Sequence, residues 1–148
     1  MLVQTLKTLF CRDLNRLRLE IDSYQDEAKI WHIDKGIANS AGNLCLHLVG
    51  NLNTYIGVEL GKTGYVRQRE REFSLKDIPK AELLQKIDET IKVIDKALDN
   101  VTEEQLQQEY PMLVFDEMTS TEYLLVHLTT HLTYHLGQIN YHRRLLDL

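Results

Sequence analysis

Six histidines punctuate the 148-residue chain, and four of them (His127, His131, His135 and His142) fall in the C-terminal stretch VHLTTHLTYHLGQINYH. In a helix, residues four apart are turned by about 40° and lie about 6 Å along the axis. His131 and His135 can therefore turn two imidazoles toward one ion, the pairing that HExxH zinc sites use. His127 lies one turn earlier, offset the other way. All three would drift by about 80° over about 12 Å, too much to share one ion on a straight helix. His142 returns to nearly the same face two turns after His135. A third ligand must come from another segment, and His47, in NLCLHLVGNL, borders a leucine stripe where an unpaired ring costs about 1–3 kcal/mol. His47, His131 and His135 form a candidate three-histidine site with a fourth position open to water or substrate. Cys45 lies about 200° around the helix from His47 and faces elsewhere. Spacing alone leaves a second reading open, in which these are hydrogen-bonded core histidines.

The elements that must carry these residues read as four long amphipathic helices. Leu2, Val3, Leu6, Leu9, Phe10, Leu14, Leu17 and Ile21 make the first apolar stripe. The second helix runs from about Ser40, as N-cap, to Leu60, with Gly61 as its stop and a stripe of Leu44, Leu48, Leu52, Tyr55, Ile56 and Leu60. The third opens after Pro79 and continues through Leu83, Ile87, Ile91, Ile94 and Leu98 to about Asn100. Thr102 and Gln105 have capping-box spacing ahead of a short turn. The fourth helix starts near Thr119, with Glu122 three residues on as a second capping box, and ends near Leu146. The expected fold is all-α: one four-helix-bundle domain over residues 1–148. Two connections exceed what a bundle needs. Residues 24–39 hold Trp31 and His32, while residues 61–78 bring Arg67, Arg69, Glu70, Arg71 and Glu72 together and read either as functional or as a solvated polar loop.

Composition narrows the function classes. Seventeen basic against 22 acidic residues give a net charge of -5, which does not invite nucleic acid. Two cysteines make no disulfide framework. The N-terminal stretch lacks a signal-peptide apolar core, and no run approaches a membrane span. A soluble cytoplasmic protein without a membrane partner is the expectation.

HLTTHLTYHLGQI resembles the C-terminal signature of the DinB/YfiT-like superfamily of metalloenzymes, in which HxxxHxxQ closes a four-helix bundle. NSAGNLCLHLVGNLNTYI and the YVRQREREF segment are similar to one largely uncharacterised branch of it. The resemblance implies a divalent metal held by one histidine of the second helix and two of the fourth, which fall on His47, His131 and His135. His127 matches the frequent extra histidine, in a supporting role. Gln138 matches the motif's glutamine, and its amide either fixes a ring or a metal-bound water or ties neighbouring helices. Characterised relatives use the metal to activate a low-molecular-weight thiol, which implies a metal-dependent transferase or hydrolase of small molecules, with thiol-dependent S-transferase-like chemistry as the leading form. Imidazole ligands suit Zn²⁺, Ni²⁺ and Fe²⁺ alike.

Four further residues are candidates around the site. Asn43 and Asn51 flank His47 at four-residue spacing and face the cleft or serve as a cap and a helix–helix tie. Arg67 and Arg69 bind an anionic substrate or lie on the surface. The contrasting reading is a non-catalytic, metal-stabilised or metal-sensing interaction module, with a homodimer among its forms. A ferritin-like di-iron protein is disfavoured, because no Glu-x-x-His occurs.

Overall fold

The computed structural model describes residues 1–148 and is all-helical. Its α-helices are α1 (Leu2–Asp22), α2 (Ala41–Leu52), α3 (Arg69–Ser74), α4 (Lys80–Asp99), α5 (Glu103–Gln107) and α6 (Thr121–Leu146). A 3-10 turn over Glu27–Trp31 lies in the first long connection, and a π-helical stretch over Asn53–Val58 continues α2.

The four longest of these elements follow the apolar stripes. α1 packs against α4 and α6, and α2 packs against the same two helices, so that the four enclose a core of 29 buried apolar residues. Leu6, Phe10, Leu14, Leu17 and Ile21 are the inward face of α1, as the three-and-four spacing requires. Two part-buried ties link α1 to α6. The Thr133 hydroxyl donates to the Asp13 carboxylate at 2.9 Å, and Arg143 Nε donates to Glu20 at 2.7 Å.

Several boundaries differ from the sequence reading. α2 is regular only to Leu52, and Asn53–Val58 widens to a π turn, where Asn53 Nδ2 donates to the Val49 carbonyl and the Thr90 hydroxyl. The α6 cap is Ser120, whose Oγ accepts from Tyr123 N at 3.1 Å. Thr119 instead offers its carbonyl to Tyr110 N, which closes the 108–120 loop. Thr102 and Gln105 do form a capping box, on the short α5. α2 is no one-sided stripe: every residue from Ala41 to Leu52 is buried. The reason is that α3 and the 3-10 turn cover the side that a bare bundle would leave wet. No helix is long and apolar enough to cross a membrane.

His142 and His32, unassigned by spacing, meet at the end of α6. The Tyr24 hydroxyl donates to His142 Nδ1 at 2.7 Å, and His142 Nε2 donates to the His32 carbonyl at 2.8 Å. Both bonds require the neutral ring protonated on Nε2. Burial lowers its pKa below the usual 6.5 by more than the carbonyl contact raises it. Below that value the unfolded chain takes up a proton that the buried ring resists, so stability falls with falling pH. We expect the denaturation midpoint to drop from about pH 7 to about pH 5, and to drop less in His142→Gln. His131 and His135 are depressed in the same direction, so the slope shrinks in that variant without vanishing.

Candidate metal centre

His47 stands on α2, and His131 and His135 on successive turns of α6; α2 and α6 pack together, which brings the three rings edge-on to one another, with centroids 4.6–5.4 Å apart. One nitrogen from each lies within 4.8 Å of those of the other two. His47 Nε2 and His131 Nε2 are 3.2 Å apart. Nitrogens about 2.0–2.1 Å from a tetrahedral ion are about 3.3 Å from one another, so this edge already has a metal site's dimension.

The neighbours of each ring decide which nitrogen it presents. His47 Nδ1 lies 3.1 Å from Glu72 Oε1. Burial works against charge on Glu72, but the hydrogen bonds from His47 and Arg67 outweigh it and hold its pKa below the ordinary carboxylate value. Glu72 is therefore an ionised acceptor, His47 Nδ1–H donates to it, and the Nε2 lone pair points at the other histidines. His135 Nδ1 donates to Gln138 Oε1 at 2.7 Å, which likewise frees Nε2. His131 Nδ1 is buried without a partner, while its Nε2, 3.2 Å from the His47 Nε2 lone pair, carries the proton between them; ligation of a cation would shift that proton to Nδ1 and turn the Nε2 lone pair inward. Burial, with His135 and His47 close by, lowers the His131 pKa to about 4. The ring is neutral near pH 7, as ligation demands.

The fit to a divalent cation is good: two lone pairs fixed inward, a third ring free to join them, and a carboxylate behind one ligand. No further histidine, cysteine, aspartate or glutamate belongs to the cluster. Cys45 is buried in the core, with its thiol pushed up to about 12.

Glu72 escaped the spacing argument. It stands on α3 and is 5% exposed, inside the connection that also reads as a solvated loop. Three features hold it. Arg67 grips it with two donors, Nε to Oε2 at 2.9 Å and Nη2 to Oε1 at 3.1 Å. Gly50 leaves the space, since a Cβ there would overlap the carboxylate. Asn43 Nδ2 donates to the carbonyls of Glu72 and Leu75, at 2.9 and 2.8 Å, and so fastens the end of α3 to α2. A glycine inside the apolar VGNL stretch was the only sequence signal of a close approach.

The remaining candidates separate accordingly. Asn43 is the helix tie rather than a cleft residue. Arg67, read as an anion-binding candidate, has the forked donors of its guanidinium engaged by Glu72 and its guanidinium over the Tyr55 ring at 5.7 Å. Arg69 is exposed and lies over Phe73, which packs on His47 with ring centroids 5.0 Å apart. Asn51 is buried with its Oδ1 unpartnered. His127 stands outside the triad, stacked near His131 at 6.3 Å and edge-on to Phe115 at 4.8 Å. Gln138 orients a ring.

Glu72→Gln keeps the shape but removes the charge behind His47. We expect metal affinity to fall by about 10–100-fold, measured by competition with a chromophoric chelator. Gly50→Ala displaces the same carboxylate and should cost about 1–3 kcal/mol of stability as well.

No curated protein matches the chain. A family described as "Protein of unknown function (DUF1572)" matches residues 3–147, with all three histidines, Glu72 and Arg67 inside the matched span, and the chain belongs to that family.

Proposed function

We propose that this chain is a metal-dependent enzyme acting on small molecules, built as a four-helix bundle of the DinB/YfiT-like type. Its reaction on this reading is thiol-dependent S-transfer. The observation that carries the proposal is the convergence of three imidazole nitrogens within 4.8 Å of one another, with a hydrogen-bond partner behind His47 and another behind His135. A divalent ion held there lowers the pKa of a thiol that binds it and so supplies a nucleophile at neutral pH.

The chain's own residues would divide the work. His47, His131 and His135 bind the ion. Glu72 keeps the His47 lone pair inward, and Gln138 does the same for His135. Arg67 balances the Glu72 charge. The three ligands are neutral, so the ion would keep its double positive charge for an anionic partner such as a thiolate. Zn²⁺, Ni²⁺ and Fe²⁺ all suit imidazole donors. The proposal extends to a cytoplasmic setting and to a small-molecule substrate rather than nucleic acid or membrane.

A three-ligand set favours catalysis over the metal-stabilised module, because a structural site is ordinarily closed by a fourth protein ligand. The test is metal analysis of untagged protein beside a His47→Ala, His131→Ala double variant. We expect near-stoichiometric divalent metal in the parent and almost none in the variant; equal metal in both would overturn the site. Loaded protein should then accelerate consumption of a low-molecular-weight thiol by an electrophile. A protein that binds metal and accelerates no such pairing would favour the non-catalytic module.

A further inference from the structure

A cleft of about 550 Å³ opens beside the triad, between the loop at residues 36–39 and the C-terminal half of α6. This volume falls within the roughly 300–1,000 Å³ of small-molecule sites. His135 belongs to both places: it is one of the three converging histidines, and it forms part of the cleft wall. Leu44, one helical turn before His47 on α2, lines the cleft as well.

The lining is unusual in its chemistry. It contains no lysine, arginine, aspartate or glutamate. Ile37, Leu44, Tyr134, Tyr141 and Leu145 are its large apolar and aromatic members. Of these, Tyr134, Tyr141 and Leu145 are 65%, 64% and 62% exposed, so large apolar side chains stand in water around a concavity. Tyr134 also meets the His135 ring nearly edge-on, with centroids 5.3 Å apart. Gln138 uses its carbonyl oxygen on His135, which leaves its NH₂ as a donor at the wall. The loop can bend around the opening because Gly36 takes a positive φ of 77°. Arg144 lies over Tyr141 at 5.8 Å and is not part of the lining.

We propose that this cleft receives the uncharged, aromatic or aliphatic body of the molecule whose head group reaches the three-histidine site. The inference rests on the metal reading and adds the substrate class. A charged body would lose its hydration among tyrosine and leucine side chains without meeting an opposite charge, whereas an apolar body covers surfaces that are now wet. Head and body thus face different chemistry, a cation at one end and an apolar wall at the other. Gln138 adds one hydrogen bond at the junction.

The experiment uses the full chain loaded with Co²⁺, whose visible absorption reports ligand binding at the ion. Three hydroxamates share one metal-seeking head: acetohydroxamic acid, phenylacetohydroxamic acid and the monohydroxamate of succinic acid. We expect the phenyl compound to bind about tenfold or more tighter than the acetyl compound, and the succinyl compound no tighter than the acetyl one. Tyr141→Ala and Leu145→Glu are exposed substitutions that should preserve folding. They should erase most of the phenyl advantage and leave acetohydroxamate affinity within about twofold. Equal binding of the phenyl and acetyl compounds, tightest binding of the succinyl compound, or a phenyl advantage untouched by both substitutions would each overturn the proposal while the metal reading stands. Failure to retain Co²⁺ at the histidines would overturn the metal reading and this inference with it.

Discussion

A buried carboxylate organises this molecule. Glu72 carries its charge at 5% exposure, where an unpaired ion would cost several kcal/mol. Two donors from Arg67 and one from His47 make that charge tolerable, and each partner is constrained in return. His47 loses its choice of tautomer. Arg67 is immobilised between Glu72 and the Tyr55 ring, which reaches it from the π-helical stretch that follows α2. Gly50 must remain without a side chain. One ion pair therefore ties a short helix in a connection to the orientation of a ring on the central helix.

The same constraint explains why α2 differs from the other long helices. α1 and α4 bury one face, but α2 is enclosed entirely, and a wholly enclosed helix would ordinarily be apolar all round. This one carries Asn43, His47 and Asn51, with Ser40 before it and Asn53 after it, all buried. Most of their polar atoms are answered from other elements: Asn43 by the carbonyls of Glu72 on α3 and of Leu75 just after it and by Lys76, His47 by Glu72, and Asn53 by Thr90 on α4. Buried polar groups need such partners, so satisfying them fixes where α3 and α4 sit against α2. Packing alone would leave more freedom, since leucine contacts are non-directional.

How much was legible from residues follows the range of each interaction. Helical stripes are local, and they marked α1, α4 and most of α6 within a few residues. The His131–His135 pair is local too, since one turn of helix fixes it. His47 could be joined to it because the ring stood on an apolar stripe and needed a partner. The all-round burial of α2 was not legible, because it depends on α3 folding back over the outer side. The choice of Glu72 from among Glu70, Glu72 and the neighbouring arginines was equally hidden, since it is set by the angle at which REREFS meets α2. Ser120 rather than Thr119 caps α6 because Thr119 is held by the Tyr110 backbone, a pairing across a loop that no adjacent residue announces. Arg67 shows the general difficulty. Its fork suits a substrate anion and an internal carboxylate equally well, and only the three-dimensional neighbour decides.

Electrostatics links these features to the proposed chemistry. The net charge of -5 describes the whole surface, but the candidate site has its own balance. Imidazoles that ligate a cation do so as neutral rings and add nothing, and the Glu72 charge is met by Arg67 at hydrogen-bond distance. A divalent cation placed there would be the dominant local charge, with no anionic ligand to reduce it. Attraction for an anionic head would then come chiefly from the ion, because Arg67 is occupied by Glu72 and the adjoining cleft is lined by no lysine or arginine. Had Glu72 lacked its arginine, its negative charge would act through His47 to weaken that attraction. Had Arg67 lacked its glutamate, a free guanidinium would lie near the histidines as a rival anion site and would raise the cost of bringing a cation among them. The Glu72–Arg67 pair therefore does more than position a ring: it keeps the surroundings electrically neutral, so that the charge of the bound ion alone decides what it attracts.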